Sequence, residues 1–338
     1  MRQHFGSWAI AILIMVHLSV GTLRIEATDF RVSRRNPAAP DYLDAIRGVS
    51  RDSHGNVYVL DALRREIRAF DHRGHLLFSY SRIGRGVGEL AIPWSLRADE
   101  QGHLFVLDIG SERVSEFSAN RDSLHFIRSV SIGMKATDLC VMDSRLFLFG
   151  YFNNRLIHEL TWEGKHVRSF GDPFGPNDNF AQQLLSRGNL ACDAQASRMI
   201  VTADRLADIR AYSLTGGLVW GRKLNAFHEV QVRVLGAGRV GLTPPSEGVD
   251  IVTGVMFLTA DRIAVQLERQ AKRDGQVSAS IVRNTKILSV DSGAELASQF
   301  SIPRLVGVNR GFGFTLSSRQ DFYDISGVRL SFLSIGEK

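Results

Sequence analysis

Cysteine is scarce: the chain of 338 residues holds two, Cys140 and Cys192. That excludes a disulfide-stapled mini-protein and a multi-cysteine zinc module, and a domain this large has core enough to fold without a staple. No Cys-x-x-Cys and no Gly-x-Ser-x-Gly elbow occurs, so neither a redox pair nor an α/β-hydrolase nucleophile can be assigned. Long apolar runs are also lacking. The run Trp8–Val20, interrupted by His17, falls short of the about 20 residues that a spanning helix needs. Helical periodicity is confined to NFAQQLLS at 179–186, which argues against a TIM barrel or a doubly wound sheet.

What is present is an ordinary globular composition, 44% hydrophobic and 22% charged, with a net charge of +6. Arg2, the apolar run and the small residues Ser19 and Gly21 form the layout of a signal peptide over 1–21. A periplasmic or secreted protein is expected, with no transmembrane domain beyond the cleaved leader. A mildly basic surface outside the cytoplasm does not meet nucleic acid; a protein, glycan or small-molecule ligand is the better partner.

The chain repeats itself. GNVYVLD (55–61) recurs as GHLFVLD (102–108), with weaker copies at RLFLFG, RMIVTAD, RIAVQL and GFGFTLS. Each is followed by further short amphipathic strands, as in IRAFDHRG and HLLFSY, and preceded by another, as in GVSRD and SLRAD. Four strands recurring six times predict an all-β fold, a six-bladed β-propeller of four antiparallel strands per blade. The blades fall at 46–83, 92–132, 136–170, 188–224, 249–302 and 304–335, after an N-terminal extension or extra edge strand at 22–45. A monomer is expected.

The unit GNVYVLDALRREIRAFDHRG resembles the NHL-type repeat, and GRGVGELAIPWSLRADEQGHLFVLD is similar to exported bacterial six-bladed propellers. In that family a Gly-x-Gly-Pro-Gly-Glu turn joins blades; here Gly84, Gly86, Gly88 and Glu89 match, and Val87 replaces the proline. The resemblance covers 46–170 and implies a fold more than an activity. It also decides what GRGVG is. A phosphate loop needs a helix behind it, and AIPWSL follows instead, so this is a blade linker.

Propeller topology places blade linkers and second-to-third-strand turns on one face. Three of these connections are enlarged: 171–189, 225–250 and 268–284. They gather over blades three to five, where a binding or scaffolding module would hold its partner. At the channel mouth the first strands supply Arg47, Trp94, Asp138, Asn189, Asp250 and Arg304 as candidate ligand-binding residues. No catalytic residue is assigned. The alternative is a calcium-dependent lactonase or lyase, with Asp138, Asn189 and Asp250 as oxygen donors to Ca²⁺. Asp61, Asp108 and Asp204 close the second strands and read as turn acids, with Asp108 in reach of Arg113. Counted from the acids that follow them, Asp143 and Asp193, the two cysteines point to the same side of their sheets and are expected as free thiols.

Overall fold

A computed structural model of the chain describes residues 22–32 and 43–333, apart from Glu100, Arg121, Asp143, Ala237, 274–275, Ser301, Arg310 and 320–321. The signal-peptide pattern at 1–21 lies outside the described residues. The chain forms six four-stranded antiparallel sheets. Strand β1 (Thr22–Val32) precedes blade one, which is β2 (Ile46–Arg51), β3 (Val57–Asp61), β4 (Glu66–Phe70) and β5 (Leu76–Tyr80). Blade two is β6 (Pro93–Ala98), β7 (His103–Asp108), β8 (Arg113–Ala119) and β9 (Leu124–Ser131). Blade three is β10 (Asp138–Met142), β11 (Arg145–Phe152), β12 (Arg155–Leu160) and β13 (His166–Phe170). Helix α1 (Asn179–Leu185) leads into blade four: β14 (Gly188–Asp193), β15 (Arg198–Ala203), β16 (Asp208–Ser213) and β17 (Leu218–Lys223). A hairpin of β18 (Gln231–Gly236) and β19 (Arg239–Thr243) comes next. Blade five is β20 (Asp250–Thr259), β21 (Arg262–Arg273), β22 (Gln276–Ser289) and β23 (Glu295–Gln299). Blade six is β24 (Arg304–Asn309), β25 (Phe312–Arg319) and β26 (Phe322–Leu333).

Each inner strand neighbours the next, from β2 through β6, β10, β14, β20 and β24 back to β2, so the ring is closed. The burial gradient follows from that stacking. In β3 every residue is buried, because both sheet faces are covered by neighbouring blades, whereas in the outermost strand β5 no residue is fully buried. Apolar clusters accordingly lie between blades, such as Leu60, Leu96, Leu104 and Val106 between blades one and two. The GRGVG segment links β5 to β6, with Gly84 and Gly88 at positive φ and the Glu89 carboxylate accepting the Gly86 N–H at 2.7 Å.

Two features depart from the sequence reading. The first is the closure. The sequence reading places all of blade six at 304–335 and leaves 22–45 as an extension or an extra edge strand, yet β26 runs straight through Gly327 and 304–333 supplies three strands. The outer strand is β1, paired antiparallel with β26. Phe30 of β1 is 1% exposed and packs on Phe70 of blade one and Phe314 of blade six, sealing the last seam.

The second is the cysteine pair. Cys140 and Cys192 form a disulfide across blades three and four, with Cα atoms 6.1 Å apart, so the free-thiol expectation is corrected. The turn acids are the wrong reference points. Strand β10 ends at Met142, paired with Arg145, whereas β14 runs on through Asp193, paired with Arg198. The equivalent residues are Leu139, which packs on blade two, and Leu190, which packs on blade three. Cys140 follows Leu139 directly and faces blade four; Cys192 lies two beyond Leu190 and faces blade three. The thiols therefore converge.

Candidate functional site

The inner strands surround a central cavity of about 560 Å³. Arg47, Trp94, Asp138, Asn189 and Arg304 all line it, while Asp250 does not. The Arg47 guanidinium lies over the Trp94 ring, 4.1 Å from its centroid, a cation–π pair bridging blades one and two. The Arg304 Nε is buried with no hydrogen-bond partner among the described residues.

Asp138 is committed to its neighbours. Its Oδ1 accepts from Ser95 Oγ at 2.9 Å and Arg97 Nη2 at 2.6 Å, and its Oδ2 from the Leu190 N–H at 3.0 Å. One carboxylate thus fastens blades two, three and four. Asn189 does the same further round, donating to the Val252 carbonyl at 3.2 Å. Asp250 is 3% exposed and meets Arg269 Nε at 2.8 Å and the His228 N–H at 2.7 Å. It anchors the blade four–five connection.

These contacts bear on the calcium reading. Two of the three candidate donors already hold guanidinium groups, which would repel a cation and compete for the oxygens. Among the described residues no group of three His, Cys, Asp or Glu side chains is placed to hold a metal. The donor set does not fit a calcium ion.

The acids closing the second strands divide into two kinds. Asp61 accepts the N–H groups of Asp44, Ala45 and Arg64 at 2.6, 3.1 and 3.2 Å. Asp108 accepts those of Ala91, Ile92, Gly110 and Ser111 at 2.6, 3.1, 2.9 and 2.9 Å. Arg113 takes no part in this and donates to the Gly86 carbonyl instead. Both acids share the strand face that packs on the preceding blade, with Val57 and Val59 or with Leu104 and Val106. Asp204 has the opposite parity, alongside Ile200, which packs on blade five. Asp204 lines the central cavity together with Arg187, and its carboxylate has no hydrogen bond among the described residues. Burial pushes its acid strength down and its pKa up, against a smaller opposing pull from Arg187 and Arg205. The repeated sequence hides this acid, because the copy RMIVTAD looks like GHLFVLD and is slipped by one residue against the sheet.

The enlarged connections are built structures. In the first, Asp178 caps α1 by accepting the Ala181 N–H. Phe174, Ala181 and Leu185 from that connection join the cluster between blades three and four, and Val232, Val240 and Leu242 of the β18–β19 hairpin pack against it. The first two connections therefore share one core. The third extends β21 and β22 beyond the rest of blade five, with Arg283 paired to Glu268 at 2.8 Å near its base.

No protein-family model matches the chain, and no curated protein matches it in sequence. Solved structures do match in shape. A member of the DUF4221 family from Bacteroides vulgatus aligns with a TM-score of 0.58 at 9% identity, covering 92% of this chain and 99% of that one. A Bacteroides fragilis protein described as exported gives a TM-score of 0.56 at 9% identity, over 91% of this chain and 95% of that one. A luciferin-regenerating enzyme gives a TM-score of 0.52 at 10% identity, over 87% and 93%. At such identities the likeness is one of fold. The propeller is a bacterial exported protein's fold and an enzyme's fold alike.

Proposed function

We propose that the protein is an exported, monomeric binding propeller that holds its partner on the face carrying the enlarged connections of blades three to five. The observation that carries this is the shared core of the first two connections, since neutral insertions at exposed turns have no reason to pack together. Export is supported by the leader pattern at 1–21 and by the cystine, which persists in oxidising compartments. A neighbour in fold is described as exported, and no helix among the described residues is long and apolar enough to cross a membrane. A calcium-dependent lactonase or lyase is disfavoured by the arginine pairing of Asp138 and Asp250.

The test is photocrosslinking in the exporting cell, with a photoreactive residue at Phe180 or Leu235 on the loop face, or at Arg73 on the opposite face. Phe180 and Leu235 are 46% and 58% exposed. Adducts at the first two positions and none at Arg73 are expected. The reverse pattern overturns the assignment of the binding face, and recovery of the protein in the cytoplasm overturns export.

A further inference from the structure

A second concavity, of about 630 Å³, opens on the loop face between the β11–β12 turn and the connection that carries α1. Its lining is unusual in composition. Six carboxamides contribute, Asn153, Asn154, Asn177, Asn179, Gln182 and Gln183, and no charged side chain does. The two remaining lining residues are aromatic, Tyr151 and Phe152.

We infer that this concavity binds a neutral glycan chain, a proposal that rests on the loop-face reading above and names its ligand class. Each carboxamide offers two donors and an acceptor, matching sugar hydroxyls, which both donate and accept. Aromatic rings give flat apolar surface for the C–H faces of pyranose rings. A charged ligand would find no opposite charge here to offset its desolvation, although the chain as a whole carries +6. Several of the amides are held in place before any ligand arrives. Phe152 pairs with Arg155, so Asn153 and Asn154 are the two central residues of a tight hairpin, with φ of 46° and 59°. Asparagine is favoured in that conformation, and the turn aims both side chains from a rigid base. The Tyr151 hydroxyl donates to Asn179 Oδ1, fixing which end of that amide faces outward. Such preorganisation lowers the ordering cost of binding.

The experiment presents the purified protein with immobilised cellohexaose, maltohexaose, chitohexaose and mannohexaose, with heparin and polygalacturonate as acidic comparators. Binding to at least one neutral hexasaccharide is expected, weakened about tenfold by Asn177→Ala and again by Gln183→Ala. Both residues are exposed, so the variants should melt with the parent protein, and Arg73→Ala on the opposite face should bind like it. Binding to none of the neutral chains, a preference for the acidic ones, or undiminished binding by both variants overturns the inference. In each of those cases loop-face crosslinks at Phe180 would leave the binding-face proposal standing.

Discussion

Blades one and two meet through a short linker whose backbone amides fold onto a buried aspartate, and no disulfide joins them. Blades three and four meet through a long connection with its own helix, and a cystine ties their inner strands. Both seams must hold the same kind of sheet at the same distance, and they do so by different chemistry. Where the linker is short, one carboxylate can gather its amides, as Asp108 gathers those of Ala91 and Ile92 along with two from its own turn, Gly110 and Ser111. Where it is long, those amides leave with the loop. The blade four acid then faces away from that seam, which is held by apolar packing, the disulfide and the Leu190 N–H on Asp138. The difference frees one face of the ring for elaboration without opening the ring.

Three variants put numbers on that contrast. The largest effect is expected from Cys140→Ser with Cys192→Ser. The cystine spans 52 residues of sequence, and a loop of that size restrains the unfolded chain by about 4 kcal/mol. Urea titration should show a loss near that size; an unchanged midpoint would mean that packing alone holds the seam. Next comes Asp108→Ala, which strands four backbone donors and should lower stability by about 3 kcal/mol. A loss below about 1 kcal/mol would show that water replaces the carboxylate and that the short-linker seam is held otherwise.

The smallest effect carries the opposite sign. Burial raises the Asp204 pKa, so the folded chain holds this proton more tightly than the unfolded one. The stability this gives is fully present below the unfolded carboxyl value of about 3.9 and is lost as pH rises through the folded value. Asp204→Asn does not titrate. Its melting temperature should therefore gain on the parent as pH rises from 4 to 7. A variant less stable than the parent at pH 7 would place Asp204 in a structural ion pair instead.

The six-sheet architecture was legible because four-strand units recur, and burial on both faces keeps the second strands apolar whatever else changes. Five of the six channel residues were also legible, since a first strand begins at the same point in each repeat. What stayed hidden turns on single-residue parity. Asp204 looks like Asp108 and faces the other way; Cys140 and Cys192 oppose each other only when Leu139 is matched to Leu190. The amide concavity left a trace in FNN at 152–154 and in NDNFAQQ at 177–183, but only the fold brings those stretches together. Strand β1 carries no repeat signature, because it supplies just one strand of a blade.

That borrowed strand also sets a clock. Residues at 22–32 find their partners at 325–333, so the first stretch of the blade assembly to emerge must wait for the last. Five blades can form in order as the chain is delivered, each from local hairpins. The sixth cannot, and until it does, Phe30 lacks Phe314 to complete its shelter. A chain delivered unfolded across a membrane would stay an open arc for the whole of its passage and become a ring in the final step.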